Sequence, residues 1–161
     1  MILNIALLAF VTLERLGELW LSNRNTRRLV SRGAREAGSA HYPVMIAIHV
    51  LWLAALWWFA PWRQVDAFWL AIFILLELAR IWVVTTLGER WTTRIIVLPG
   101  APLVRAGPYR WVNHPNYIIV VGEIAALPLT FGLWKVALIF SILNAAILTV
   151  RIRAENRALH A

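Results

Sequence analysis

The sequence predicts an all-α integral membrane protein that forms a single domain over residues 1–161. Three features of the chain predict this class. Hydrophobic residues make up 61% of the chain and its mean hydropathy is +0.68, whereas soluble domains are typically about 45–50% apolar. The apolar residues fall into five segments, most of them near the roughly 20 residues that a membrane-spanning helix needs. Several of the ten tryptophans stand at the ends of these segments, as is typical of a membrane–water interface.

The first three predicted transmembrane helices lie in the N-terminal half of the chain. The first covers about residues 2–21. No basic residue precedes it and no small-residue cleavage site follows it, so we expect a retained helix and not a signal peptide. The second covers about 43–60 and ends at Pro61, because proline cannot continue a helix. The third covers about 67–87 and ends at Gly88.

The fourth and fifth predicted helices cover about 116–131 and 134–150. Almost no residues separate them, so we expect a tight helical hairpin. Both are short for a complete span, which leaves a partial crossing of the membrane open. Residues 99–115 come before this hairpin and contain four prolines and two glycines. Because proline pushes the preceding residue out of helical conformation, we expect a polar, ordered, non-helical loop. Such backbone is tolerated near a membrane where it is buried in protein or lines a wet cavity.

The arginines predict which face of the membrane each loop occupies. Residues 22–41 hold five arginines and one glutamate, residues 88–116 hold four and one, and residues 151–161 hold three and one. Residues 61–66 are neutral. With five spans, all the basic segments share one side, so the positive-inside rule predicts a multi-pass inner (plasma) membrane protein with its N-terminus outside and its C-terminus in the cytoplasm. In so apolar a chain, the net charge of +8 predicts contact with an anionic lipid bilayer and not with nucleic acid.

The segment Gly107–Tyr117, with the sequence Gly-Pro-Tyr-Arg-Trp-Val-Asn-His-Pro-Asn-Tyr, is the strongest candidate for chemistry. A chain that only crossed a bilayer would not need a histidine, asparagines, tyrosines and prolines at one membrane boundary. Glu123 follows inside the fourth helix, and an ionisable group at membrane depth is a functional candidate by default. An ion pair between Glu123 and an arginine such as Arg80 is the alternative, and the sequence leaves both open.

Gly107–Tyr117 resembles the signature of the isoprenylcysteine carboxyl methyltransferase family, integral-membrane enzymes that use S-adenosylmethionine. The tail Arg151–Asn156 resembles the arginine-rich stretch, with paired glutamates, that follows the last helix in that family. The similarity covers roughly residues 88–160. The stretch Arg24–Pro43 is similar to a short bacterial branch of the family, some members of which O-methylate alkylresorcinols or alkylpyrones.

The resemblance implies a division of the domain into three N-terminal helices with a basic loop (1–87) and a cofactor-binding loop, helical hairpin and tail (88–161). It implies a pocket for S-adenosylmethionine, whose product is S-adenosyl-L-homocysteine. The implied cofactor-binding residues are Tyr109, Arg110, His114, Pro115, Tyr117, Arg151 and Glu155. Arg151 would hold the cofactor carboxylate, and Glu155 would hold the ribose or the amino group.

Asn113 stands where the usual family form has an arginine. An arginine suits a substrate carboxylate because of its charge and its planar fork of donors. Asparagine lacks the charge but can hydrogen-bond a phenol or enol oxygen. We therefore expect an O-methyltransferase that acts on a hydroxyl (or carboxyl) group of an amphiphilic, lipid-like acceptor such as an alkylresorcinol, an alkylpyrone or an isoprenoid compound. The candidate catalytic residues are Asn113, His114 as the first candidate base, and Glu123 as the second.

Further candidates lie in the first two helices. Glu14 and Glu18 share one face of the first helix, where internal salt bridges are the simpler expectation and a role in substrate binding is the alternative. His41 is a candidate for the substrate entrance. His41 and His49 lack a third metal ligand in the sequence, so we predict no metal site.

Two other functions remain open at this point. Membrane reductases of the sterol-reductase type carry a similar Tyr…His-Pro…Tyr ending and bind NADPH, although this chain is shorter than we would expect for them. A non-enzymatic, lipid-binding membrane subunit would bind neither nucleotide. The sequence does not determine the oligomeric state.

Overall fold

The computed structural model describes residues 1–159, which are mostly helical. The last two residues of the predicted tail lie outside this range. The five described α-helices are α1 (Ile2–Ser31), α2 (Tyr42–Phe59), α3 (Ala67–Leu87), α4 (Pro115–Thr130) and α5 (Trp134–Leu159). Short 3-10 helices cover Ser39–His41, Gly88–Arg90 and Gly107–Arg110. All five predicted helices therefore exist, but their boundaries differ from the prediction.

Two helices are longer than the sequence predicts. α1 continues to Ser31 and α5 to Leu159, so part of the predicted arginine loop and nearly all of the predicted tail are helical. The hydropathy pattern marks where apolar residues end, whereas a helix continues as long as its backbone bonds and one packed face persist. In the extension of α1, Ser22, Asn25 and Leu29 are buried at helical spacing.

The all-α prediction is wrong in one detail, because two three-residue strands form a small antiparallel sheet. β1 (Arg35–Ala37) pairs with β2 (Ile95–Val97). Strands of this length are too short to show an alternating pattern in the sequence. The apolar residues of β2 are β-branched, which favours an extended backbone. The sheet connects the segment after α1 to the segment after α3.

Three helices of the described chain are long and apolar enough to cross a membrane, within Ser39–Phe59, Ala67–Arg90 and Trp134–Ala158. α4 has 16 residues and is shorter than a typical span. α1 has 30 residues but carries six charged side chains from Glu14 onward. The count of five spans is therefore not confirmed and stays a prediction, whereas the membrane class of the protein stands.

α4 is the most enclosed helix of the bundle and packs against both α3 and α5. Residues 131–133 connect it to α5. Gly122 brings it close to α3, since a Cβ there would lie 2.8 Å from the side chain of Leu76. The core between the helices contains Leu8, Val11, Trp52, Leu56, Phe73, Ile124, Leu127 and Phe131. This packing holds the beginning of α4, with its preceding loop, against the C-terminal part of α5.

Candidate functional site

A cavity of about 310 Å³ lies between α1, α2, α4 and α5 and the segment 90–97. It has two chemically different walls. The polar wall comes from the segment before and at the start of α4 and from the end of α5, and consists of Tyr109, Asn113, His114, Asn116, Tyr117, Arg151 and Glu155. The apolar wall comes from α1 and α2 and consists of Leu16, Leu19, Met45, Ile46, Val50 and Leu53.

The loop before α4 is held in place by the backbone of Gly107. This residue has a φ of +52°, and a Cβ there would lie 2.5 Å from Oγ1 of Thr86 on α3. Any other residue would therefore be strained and would collide with α3. The turn that follows carries Tyr109 into the polar wall. Burial, and secondarily the charge of Glu155, raise the pKa of Tyr109 to about 12, so its hydroxyl stays protonated at neutral pH.

Tyr117, Glu155 and His114 form the centre of the polar wall. The hydroxyl of Tyr117 donates a hydrogen bond to Oε2 of Glu155 at 2.6 Å. Nδ1 of His114 lies 3.7 Å from the same oxygen. The His114 ring stacks on the Tyr117 ring, with 5.3 Å between centroids and 19° between planes. These contacts join the start of α4 to the end of α5, two regions that the sequence separates by almost 40 residues.

Arg151 is buried, yet part of its guanidinium group makes no hydrogen bond within residues 1–159. Its Nη2 donates to the carbonyl oxygen of Thr93 at 2.9 Å. Its Nε and Nη1 are sheltered and make no hydrogen bond to any residue that the structure describes. Among the same residues, Oδ1 of Asn116 and Nε1 of Trp91 are also buried without a partner, and both side chains line the cavity. Buried polar groups are normally hydrogen-bonded, so these atoms are available to bind a polar ligand.

The structure brings most of the predicted site residues to one cavity. The predicted residues that line it are Tyr109, Asn113, His114, Tyr117, Arg151, Glu155 and Glu18.

The other predicted residues lie outside the cavity wall. Arg110 is exposed, because the 3-10 turn that directs Tyr109 inward directs its neighbour outward. Pro115 is the buried first residue of α4 and its contribution is to begin the helix. Glu14 and His41 do not line the cavity, since Glu14 belongs to a cluster of ion pairs and His41 to the turn before α2.

Glu123 is one of six residues that form a largely buried ion cluster, here defined as Glu14, Arg15, Glu18, Glu77, Arg80 and Glu123. Arg80 Nε donates to one oxygen of Glu123 at 2.7 Å, and Arg15 Nη2 donates to the other at 2.9 Å. Nη2 of Arg80 also contacts that second oxygen. Both carboxylate oxygens are therefore occupied. The structure gives Glu123 the ion pair that the sequence left as the alternative, and it does not leave Glu123 as a free base.

Several cavity residues were not predicted from the sequence. Asn144 lies in the same wall as Arg151 and Glu155. Together with Leu148, these residues follow a spacing of four, three and four, which places them on one face of α5. That spacing would have identified Asn144 if the helix had been extended past residue 150. Nothing in the sequence around Trp91 indicates that it contributes to the cavity.

The cavity reaches the surface of the bundle between α1 and α2. Leu16 and Val50 both line it, although 58% and 60% of their surfaces, respectively, are exposed. Both helices present apolar side chains there. The opening therefore lies on an apolar face of the protein.

The chain is similar to known proteins over most of its length. The model of the isoprenylcysteine carboxyl methyltransferase (ICMT) family matches residues 69–161, which include the polar wall. The chain is 38% identical over 160 residues to the uncharacterized protein YpbQ of Bacillus subtilis (strain 168), covering 95% of this chain and 94% of the relative. It is 28% identical over 151 residues to an uncharacterized protein of Haemophilus influenzae, covering 90% and 88%. No solved structure matches the chain.

Proposed function

This chain belongs to the isoprenylcysteine carboxyl methyltransferase family, and on that premise we propose that it is a membrane O-methyltransferase that methylates a hydroxyl (or carboxyl) group of a lipid-like acceptor. The family consists of S-adenosylmethionine-dependent membrane methyltransferases. The observation that carries the proposal is one cavity with two different walls. The polar wall contains the unpaired hydrogen-bonding groups of Arg151, and the apolar wall consists of side chains of α1 and α2.

The polar wall suits S-adenosylmethionine in charge and in donor chemistry. The free Nε–H and Nη1–H groups of Arg151 are charged donors, and a carboxylate can accept a hydrogen bond from either of them. Glu155 is an acceptor for the ribose hydroxyls or the amino group. Asn116 and Trp91 supply an unpaired acceptor and an unpaired donor. When bound, the cofactor supplies an activated methyl group. The contribution of the protein is to fix the reacting groups in line and to exclude water.

The apolar wall suits the hydrocarbon tail of an amphiphilic acceptor. A tail that passes from the bilayer to these side chains stays out of water, so the transfer costs little hydrophobic free energy. A lipid-like molecule could enter from the membrane through the opening at Leu16 and Val50, while the cofactor enters from the aqueous side. Its polar head would then reach Asn113, which can hydrogen-bond a phenol or enol oxygen. For this reason we favour a hydroxyl acceptor such as an alkylresorcinol or an alkylpyrone, with an isoprenoid compound as the alternative.

The charge distribution supports an orientation with the polar wall toward the cytoplasm of an inner-membrane protein. The arginines of residues 22–41, 88–116 and 151–157 lie in segments that the positive-inside rule places in the cytoplasm. In that orientation the soluble cofactor reaches the polar wall directly. The partners of the protein are then the bilayer, the cofactor and the acceptor, and no nucleic acid.

Binding of S-adenosylhomocysteine tests the cofactor assignment. We expect saturable binding to the purified protein in detergent and no binding of NADPH. Glu155→Gln removes a charged acceptor and should weaken binding about tenfold, since a hydrogen bond to a charged group contributes roughly 1.5–3 kcal/mol. Glu89→Gln is the matched control because Glu89 lies in an exposed ion pair with Arg28, and it should bind like the wild type. NADPH binding without S-adenosylhomocysteine binding would indicate a reductase, and binding of neither would indicate a non-enzymatic subunit.

The acceptor class is tested by methylation with labelled cofactor. We expect label in an alkylresorcinol or an alkylpyrone and little in a farnesylcysteine analogue. Asn113→Arg adds a fork of charged donors to the cavity wall and should shift the ratio of rates toward the carboxylate acceptor about tenfold. Asn23→Arg, an exposed position on α1 outside this cavity, should leave the ratio unchanged. A wild-type protein that methylates farnesylcysteine and neither hydroxyl acceptor contradicts the assignment.

A further inference from the structure

His49 is an ionisable side chain that lines the cavity from within an apolar helix, where packing alone does not require it. It lies in α2, and it is the only ionisable residue between Pro43 and Phe59. An ionisable group at membrane depth is costly, and it normally faces a cavity or a partner and has a function. His49 lines the cavity on the same helix face as Met45, Ile46 and Leu53 of the apolar wall. His49 therefore lines the same cavity as Asn113, the residue proposed to bind the acceptor hydroxyl.

The hydrogen bonding of His49 determines which ring nitrogen carries the proton. Nδ1 lies 2.9 Å from the carbonyl oxygen of Met45, one turn earlier in α2. A carbonyl oxygen only accepts hydrogen bonds, so Nδ1 must be the donor. In the neutral ring, Nε2 is then an acceptor with a free lone pair. Nε2 makes no hydrogen bond to any residue within the described range 1–159.

The other two candidate bases are less available than His49. Both oxygens of Glu123 are held by Arg80 and Arg15. His114 stacks on Tyr117 and faces Glu155 in the polar wall, which is the proposed cofactor position. The charged groups that act on His49 come from three other helices, and they are Arg15 of α1, Arg80 of α3 and Glu123 of α4. These groups are bound to one another, which leaves Nε2 of His49 as an unengaged proton acceptor on the acceptor side.

We propose that Nε2 of His49 is the general base that accepts the proton of the acceptor hydroxyl during methyl transfer. The inference rests on the proposed function. In the step, the acceptor oxygen bonds to the methyl carbon as the sulfur–carbon bond of the sulfonium breaks. The electron pair of that bond stays on sulfur, and the hydroxyl proton moves to Nε2. The products are the methyl ether, the thioether form of the cofactor and a protonated His49, which then returns its proton to water. A phenol, with a pKa near about 10, needs such a base at neutral pH.

Acceptors of different acidity test this role. We would compare an alkylresorcinol with its nitro-substituted analogue, which is already ionised at neutral pH and needs no base. Two variants are used. His49→Gln removes the basic nitrogen, and His49→Asn retains an amide donor near the position of Nδ1 but ends before Nε2. Both should lose about 100-fold in kcat on the alkylresorcinol, which is at the low end of general-base contributions, and less than about threefold on the nitro analogue. The S-adenosylhomocysteine affinity and the Tm of both variants should match the wild type.

The other possible results separate the inference about His49 from the proposed function. Equal losses on both acceptors would show that His49 only shapes the cavity, and no loss on either would show that it takes no proton. Either result overturns the inference but leaves the methyltransferase assignment in place, because the wild type would still bind the cofactor product and methylate both compounds. A wild-type protein that does neither would overturn the proposed function together with the inference.

Discussion

Replacing Arg151 with methionine should weaken the binding of S-adenosylhomocysteine about 100-fold. The side chain offers two buried N–H groups that have no partner in the described residues and that face the cavity. Hydrogen bonds to charged groups contribute roughly 1.5–3 kcal/mol each, and a loss of about 3 kcal/mol corresponds to about 100-fold in Kd. Titration of the purified variant with the cofactor product measures the change.

Two variants, Arg153→Met and Arg151→Lys, provide the controls for this prediction. Arg153→Met removes an exposed arginine of the same helix that does not line the cavity, and it should leave Kd unchanged. Arg151→Lys keeps the charge but not the planar fork, so it should fall between methionine and the wild type. Because Arg151 also donates to Thr93, the Tm of each variant should be compared with that of the wild type. An Arg151→Met protein that is folded and binds with unchanged affinity would remove Arg151 from the cofactor site.

Replacing Arg80 with leucine should destabilise the protein by about 3–5 kcal/mol, because removal of one partner of a buried ion pair leaves the other charge uncompensated. Arg80 is bound to Glu123 and Glu18, and the side chains of Arg80 and Glu123 are only 5% and 3% exposed. In a chain of this length the loss corresponds to a fall in Tm on the order of 10 °C. Thermal unfolding in detergent without cofactor measures it.

A second substitution separates lost charge balance from lost packing. The double variant Arg80→Leu/Glu123→Leu removes both charges and should recover a large part of the stability, because an apolar pair of similar volume often replaces a buried ion pair at little cost. Arg28→Leu is the surface control. Its pair with Glu89 is about half exposed on both sides, so it should change the stability by less than about 1 kcal/mol. If Arg80→Leu is no more destabilising than Arg28→Leu, the ion cluster does not stabilise the bundle.

The polar wall was predictable from the sequence to a large extent, because its residues come from two short, chemically unusual segments. Tyr109, His114 and Tyr117 lie within eleven consecutive residues, and Arg151 and Glu155 lie one helical turn apart. Residue type and spacing were sufficient to group them. Arg110 lies outside this wall, because a motif does not specify which of its side chains a turn directs inward.

The apolar wall and the ion cluster could not be predicted in the same way. Glu123 contacts Arg80 and Arg15, which precede it by 43 and 108 residues. Such contacts depend on which faces of three helices meet, and the sequence patterns of this chain do not specify the rotation of one helix against another. The role proposed for His49 could not be predicted for a related reason. In the sequence, His49 could be judged only as a metal ligand, and it lacks partners for that. Its proposed role as a base depends on the hydrogen bond from Nδ1 to the carbonyl oxygen of Met45 and on the cavity that it lines.

The sequence by itself determined the membrane class, the five helices, the segment that forms most of the polar wall and the family. These properties depend on composition, on apolar segments and on a local motif, all of which are written within short stretches of the chain. Only the tertiary structure decided the small sheet, the full lengths of α1 and α5, the ion pairs of Glu123 and the cavity with its two walls. These depend on contacts between distant segments, where close packing and the pairing of buried polar groups select one arrangement among many that the same local patterns would allow.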